Sequence, residues 1–255
     1  MSLLLGENEK CSFESLRYSE VSPIFLTCDH ASNTIPESLN NLGLTENILR
    51  SHRGWDIGAL QVSRYISTKL KATLCYTTYS RLVIDCNRPL TVDDSIPKSV
   101  DGVIIPGNSD IAVADREQRI AEIFEPYHNQ IGKLLKDQLI QYSDTAYLAV
   151  HSFTPTMNGK IRPWDIGVTF HNQSRFSEFV LHSLKEYEDL NIGVNEPYPI
   201  TPEGDYGITE HGEKNGLDSM LIEIRQDRID IPSRQMYIAQ ILTDILWRYI
   251  GQSGY

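Results

Sequence analysis

Three short apolar runs, each delivering a polar residue suited to chemistry, constrain the fold of this chain more than anything else in it. Pro23-Ile24-Phe25-Leu26-Thr27-Cys28 leads into Asp29-His30, residues 146–150 lead into His151-Ser152, and Met220-Leu221-Ile222-Glu223-Ile224 carries a carboxylate inside an apolar stretch. Such runs read as strands buried on both faces. Further strands are expected over 72–77, 82–84 and 165–170. Helical periodicity fills the gaps. Val62, Ile66 and Leu70 recur every four residues within 56–70. A longer face over 115–141 carries Ile120, Ile123, Phe124, Tyr127, Ile131, Leu134 and Leu135, with Pro126 expected to kink it. Shorter helices are expected over 44–50 and 175–187. A last helix over 233–250 has its start fixed by Pro232. Strands alternating with helices make an α/β sandwich. No internal repeat or linker-like shift in composition divides the chain, so 1–255 reads as a single domain. In open α/β sheets ligands collect at the carboxyl ends of strands, which is where the polar residues fall. The stretch 91–113, rich in Asp, Ser, Pro and Gly, reads as a long loop that shapes a pocket.

A chain of 255 residues can bury its core without disulfides, and 40% hydrophobic with 22% charged residues excludes a disordered protein. Lys and Arg number 23 against 34 Asp and Glu, a formal charge of −11. That acidity argues against a protein that grips nucleic-acid backbones, while leaving room for a local basic pocket. The four cysteines form no C-x-x-C pair, and Cys28 lies in an apolar run as a buried free thiol does. A reducing, cytoplasmic location is expected. The start of the chain has no basic segment before its leucines, so no signal peptide is expected there, and Met1-Ser2-Leu3 reads as partly a cloning remnant. No run approaches the roughly 18 apolar residues of a membrane span.

His30 alone would be read as a strand-end residue capping a backbone group. His151 repeats the arrangement on a second strand, and paired imidazoles at one sheet edge suit a catalytic zinc, which needs three protein donors and an open position. A carboxylate must supply the third. Asp56, in Arg53-Gly54-Trp55-Asp56-Ile57-Gly58, is one candidate, though it also fits an ordinary helix cap; Asp29 is another. Ser80-Arg81-Leu82-Val83-Ile84-Asp85-Cys86-Asn87-Arg88-Pro89 sets two arginines and an asparagine around a short apolar run. These arginines make either structural ion pairs, with Asp85 as one acid, or a clamp for a carboxylate. Glu223 is either an ion-pair partner or a general base. His211 lies in a Gly-rich loop, where functional residues concentrate. His52, His128, His171 and His182 read as structural or surface residues. Phosphate-binding glycine loops and a G-x-S-x-G elbow are absent from the sequence.

Five ordered markers carry a resemblance. They are Cys28-Asp29-His30-Ala31-Ser32-Asn33, Trp55-Asp56-Ile57-Gly58-Ala59, Ser80-Arg81 through Asn87-Arg88-Pro89, Val150-His151-Ser152-Phe153, and Leu221-Ile222-Glu223-Ile224-Arg225-Gln226-Asp227. With them the chain resembles the N-formylglutamate amidohydrolase family from about Phe25 to the last helix. That family is similar in fold to the zinc-dependent carboxypeptidases and aspartoacylases, of the phosphorylase/hydrolase-like, zinc-exopeptidase type. The resemblance implies a three-layer α/β/α sandwich around a mixed, mainly parallel sheet. It also implies Zn2+ or another divalent metal held by His30 and His151. Arg81 would polarise the scissile carbonyl, Asn87 and Arg88 would grip a substrate carboxylate, and Glu223 would be the base. Arg225, in the last marker, is assigned to the substrate side, and His211 stands as a second candidate for proton transfer. Where the superfamily has His-x-x-Glu this chain has Asn33, so Asp56 is expected to be the third metal ligand. The implied activity is hydrolysis of a small-molecule N-acyl amino acid, N-formyl-L-glutamate being the nearest named one. A deacylase of another N-acyl amino acid, a carboxypeptidase-like hydrolase and an inactive binding relative are the alternatives.

Overall fold

The computed structural model describes residues 3–20, 22–202 and 204–252; Met1 and Ser2, on which most of the cloning reading falls, lie outside them. A seven-stranded sheet runs through the molecule. Its strands are β1 (Phe13–Leu16), β2 (Ile24–Cys28), β3 (Thr73–Thr77), β4 (Ala146–Phe153), β5 (Ile166–Thr169), β6 (Ile192–Val194) and β7 (Ser219–Arg225). Their order across the sheet is β1-β3-β2-β4-β7-β5-β6. The pairs β3/β2, β2/β4, β4/β7 and β5/β6 are parallel, while β1/β3 and β7/β5 are antiparallel. The sheet is therefore mixed and mainly parallel, as expected. The two short strands β1 and β6, at its edges, carry too little apolar pattern to be read from sequence.

Alternation along the strands sorts side chains into two layers. Ile24, Leu26, Leu148, Val150, Ile222 and Ile224 face one side, packed against helices α1 (Ala59–Leu70), α3 (Arg175–Leu184) and α4 (Pro232–Gln252). Phe25, Cys75, Tyr147, Ala149 and Leu221 face the other, packed against α2 (Glu125–Leu139). Helices on both faces make the three-layer α/β/α sandwich. Parity then does functional work: His151 and Glu223 fall on the α2 side, two residues on from Ala149 and Leu221.

Two expectations are corrected. Residues 82–84 are buried but form turns, not a strand. The loop over 91–113 is not featureless: it contains a hairpin pairing Ser99–Val100 with Val103–Ile104. A second hairpin pairs Thr156–Met157 with Lys160–Ile161. Among the described residues no helix is long and apolar enough to cross a membrane.

Candidate active site

The site forms where strand ends meet. β2 ends at Cys28, two residues before His30, and His151 on β4 is the register partner of Glu223 on β7. Asp56 arrives from a loop. Its backbone N–H donates to the His30 carbonyl (2.9 Å), and the Ser152 N–H donates to its Oδ2 (3.1 Å), so both strand ends grip it. Gly58, at φ 83°, makes the turn into α1 and caps it; a Cβ there would run into the Ile229 carbonyl oxygen. The Asp56 side chain is thereby relieved of helix capping and turned inward.

One donor atom from each of His30, Asp56 and His151 lies within 4.8 Å of the others, and all three residues are buried. The donor chemistry fits a divalent cation. His30 Nε2–H donates to Asp85 Oδ1 (2.7 Å), and His151 Nε2–H donates to Asp29 Oδ2 (3.1 Å). The Nδ1 atoms of His30 and His151 are thereby turned toward Asp56, at 3.5 and 2.9 Å from Oδ2, where their lone pairs would serve a bound cation. His30 Nδ1 and Asp56 Oδ1 are buried without a hydrogen-bond partner. Imidazoles fixed by a carboxylate at the far nitrogen are the usual form of metal-ligating histidine, and two nitrogens with one carboxylate suit Zn2+ or a similar ion. Tyr127 O–H in turn donates to Asp29 Oδ1 (2.6 Å). Asn33 does not line the cavity, and Asp56 supplies the carboxylate in its place.

The electrostatics follow from this packing. Desolvation acts to raise the Asp56 and Asp85 pKa values, but His30 and His151 around Asp56, and Arg81 and His30 around Asp85, hold both well below the usual carboxylate range. Desolvation disfavours the His151 imidazolium, yet Asp29 and Asp56 outweigh it and raise its pKa well above the ordinary value. A cation bound among the same groups competes with that proton. Burial pushes the Glu223 carboxyl up to about 8, against the pull of His151, and Glu223 Oε2 has no hydrogen-bond partner.

The cavity has a volume of about 900 Å³, and His30, Asp56, His151, Arg81, Asn87, Arg88 and Glu223 all line it. Arg81 makes the structural ion pair read from sequence: its Nη2 donates to Asp85 Oδ2 (2.7 Å), and its Nη1 lies 3.8 Å from Asp56 Oδ1 at the cavity wall. Asn87 is largely committed within the protein, donating to Asp205 Oδ1 (3.3 Å) and accepting from the Gly207 N–H (3.1 Å). Arg88 donates to the Asn87 and Gly204 carbonyls and has no carboxylate within ion-pair distance among the described residues.

Two expected residues are not brought to the cavity. His211 Nε2–H donates to His128 Nδ1 (2.9 Å), and His128 Nε2–H donates to the Cys86 carbonyl (2.9 Å), a relay buried between α2 and the sheet. Arg225 is bound by Asp165 (2.9 Å) and Asp227 (2.7 Å) and donates to the Arg162, Pro163 and Trp164 carbonyls, so it props the adjoining segment. Four residues of the site were not singled out from sequence: His52, Asp85, Arg162 and Asp205. Asp85 appeared only as an ion-pair partner. His52 precedes Asp56 by four residues and sits 4.0 Å from its Oδ1. Arg162 and Asp205 lie in irregular segments with no sequence signal.

A covered mixed sheet that presents two carboxylate-backed histidines, a third carboxylate donor, a buried glutamate and an arginine at its strand ends defines a metal-dependent hydrolase of amide bonds. A family model described as N-formylglutamate amidohydrolase matches residues 22–229. The chain belongs to that family. It is similar to a gene product of Agrobacterium tumefaciens of known crystal structure, with 32% identity, 99% of this chain and 100% of that one covered, and a TM-score of 0.93. It shares the fold of an N-formylglutamate amidohydrolase from Ralstonia eutropha, with 18% identity, 96% and 100% covered, and a TM-score of 0.78. No curated protein matches significantly.

Proposed function

We propose that this enzyme removes a formyl or other small acyl group from an N-acyl amino acid, with N-formyl-L-glutamate the nearest named substrate. The observation that carries this reading is Arg88, an arginine without a carboxylate partner in the same cavity as the His30–Asp56–His151 donor set. A divalent cation held by those three residues supplies Lewis acidity and an acidified water. Glu223, with one carboxylate oxygen unpartnered, takes the proton of the attacking water and returns it to the leaving amine. Arg81 faces the carbonyl oxygen and stabilises the charge that develops there, its orientation fixed by Asp85. Arg88 binds the substrate carboxylate and sets register, while Asn87 holds the 204–207 wall beside it. A small-molecule substrate, a chain acting as one domain and a cytoplasmic location accompany this reading; the three buried cysteines are free thiols.

The test combines metal analysis with turnover on a panel of N-acyl amino acids and dipeptides. About one divalent ion per chain is expected, with turnover of N-formyl amino acids that chelation abolishes. Arg88→Ala should raise KM far more than it lowers kcat, because it removes binding common to ground and transition states. Protein that binds no divalent cation would sink the proposal, as would a holoenzyme that cleaves dipeptides and ignores N-acyl amino acids.

A further inference from the structure

Most acids that line the cavity already have a duty. Asp56 belongs to the donor set, Asp85 is held by His30 and Arg81, Asp101 at the rim stands 3.8 Å from Arg53, and Glu223 is the base. Asp94 is exposed. Asp205 is left: half-buried, on the cavity wall, and without an ion-pair partner among the described residues. Its carboxylate takes two long hydrogen bonds, from the Asn87 side-chain amide to Oδ1 and from the Thr201 N–H to Oδ2, both 3.3 Å. The Gly207 N–H, which a capping aspartate would take, goes to Asn87 Oδ1 instead (3.1 Å). Burial raises the Asp205 pKa above the ordinary carboxylate value in spite of the pull of Arg88 and His151. A carboxylate so short of donors marks a place for one.

Arg88 is the neighbour that should pair with it, and the two are kept apart. Arg88 Nη1 is occupied by the Asn87 carbonyl (3.3 Å) and by the carbonyl of Gly204, immediately before Asp205 in the chain. The Tyr206 N–H also donates to the Asn87 carbonyl (3.1 Å), so residues 204–207 are laid against Asn87 and Arg88. A cation and an acid are thereby fixed on one support in one cavity, neither neutralising the other. An α-amino acid carries a carboxylate and a nitrogen on one carbon, an acceptor for the first and a donor for the second. The Asp205 charge also bears on His151 and on Glu223, which sets it beside the reacting centre.

We propose that Asp205 binds the nitrogen of the substrate. It accepts from the amide N–H while Arg88 holds the carboxylate, and after hydrolysis it accepts from the ammonium of the amino acid that remains. The inference rests on the N-acyl amino acid reading above. Hydrolysis turns a neutral amide donor into a charged one, so the contact strengthens as the acyl group leaves, and the free amino acid is held as an inhibitor. An acylated nitrogen without a hydrogen, as in an N-alkyl amino acid, has nothing to offer Asp205.

Amino acids are compared with acids that lack only the nitrogen: L-glutamate with glutarate, and L-leucine with isocaproate. Calorimetric binding is measured on zinc-loaded wild type, Asp205→Asn and Asp205→Ala. Values of kcat/KM for the N-formyl derivatives of both amino acids, circular dichroism and metal content are recorded for each. Wild type should bind the amino acid about 10- to 100-fold more tightly than its partner in at least one pair, the usual worth of a charge-assisted hydrogen bond. Asp205→Ala should erase that preference and lower kcat/KM on the matching N-formyl compound by about tenfold or more. Asp205→Asn, which keeps an oxygen without the charge, should retain part of both. A wild type that prefers neither amino acid overturns the proposal whether or not the variants fold. So does an Asp205→Ala protein that keeps the preference, keeps wild-type kcat/KM, or weakens both members of a pair alike, the last being what a merely structural loss of the 204–207 wall would do. Should neither variant fold, a crystal structure of wild type with the bound amino acid decides, by whether its nitrogen lies on Asp205 or elsewhere. Absence of turnover on both N-formyl compounds would instead sink the reading beneath, while the binding pairs still decide the role of Asp205.

Discussion

Each histidine of the donor set is aimed by its far nitrogen, so the residues behind the ligands matter as much as the ligands. Asp29 holds His151 and is itself held by Tyr127. Asp29→Asn should weaken metal affinity by about 10- to 100-fold, the usual cost of losing such a partner, read by competition with a chelator of known affinity. Glu223 has a different duty. Glu223→Gln keeps the shape and removes the basicity, so kcat should fall by roughly 10²- to 10⁴-fold with metal content near wild type. Loss of metal along with activity would make Glu223 a ligand instead. His30, His151 and Glu223 were legible because a polar residue inside or just after an apolar run is conspicuous. Asp56 was legible only as one of two candidates, with Asp29, since at a helix start an aspartate has an ordinary reason to be present. Asp205 was illegible for a physical reason: what distinguishes it is the lack of an ion-pair partner, and that is a property of neighbours distant in sequence.

At the scale of elements, sheet parity places His151 and Glu223 side by side, and a single left-handed turn places Asp56. Gly58→Ala would force a Cβ into the Ile229 carbonyl and an unfavourable backbone conformation at once. A loss of at least about 2 kcal/mol is expected in denaturant unfolding, together with weakened metal binding as Asp56 shifts. The periodic helices were readable in outline. The helical pattern over 115–141 is in fact Val113–Arg119, a π turn over Ile120–Phe124, and then α2, with Pro126 in the first turn of α2 where its missing N–H costs least. The kink expected of the proline is thus absorbed by widening the helix ahead of it. Residues 82–84 misled because burial and strand both select for apolar side chains. Here three consecutive apolar residues are buried in turns, with Arg119 binding the Val83 carbonyl that a strand neighbour would otherwise take.

For the molecule as a whole, acid should be destabilising through a pair of histidines outside the catalytic cavity. Burial lowers the pKa of His128 to about 3 and of His211 to about 4, so the folded protein holds both rings neutral. The unfolded chain takes up protons at its ordinary value near 6.5. Unfolding therefore binds protons at any pH between the two, and stability is full above about pH 6.5 and is lost as pH falls toward about 4. Between pH 7 and 5 the pair should cost roughly 2–4 kcal/mol. Urea unfolding of wild type and of His128→Gln/His211→Gln at the two pH values measures it; an equal loss in both proteins would refute the assignment. Net charge gave no hint of this, since the −11 counts every histidine as neutral and is blind to which rings are buried.

The two hairpins at the rim of the cavity carry a consequence for how this enzyme changes over time. The chemical floor is tied to strand register, so a substitution there disturbs several partners together. Lining residues Ser99, Val100 and Asp101, and Met157 and Asn158, instead ride on short ribbons closed by Asp101-Gly102 and Asn158-Gly159 turns, paired to no strand of the main sheet. Such ribbons can exchange side chains, lengthen or shorten without moving a ligand of the cation. Descendants of one ancestor can thus diverge in which acylated amine they accept while inheriting the same hydrolytic machinery, and the rim is where laboratory selection for a new substrate should find its first mutations.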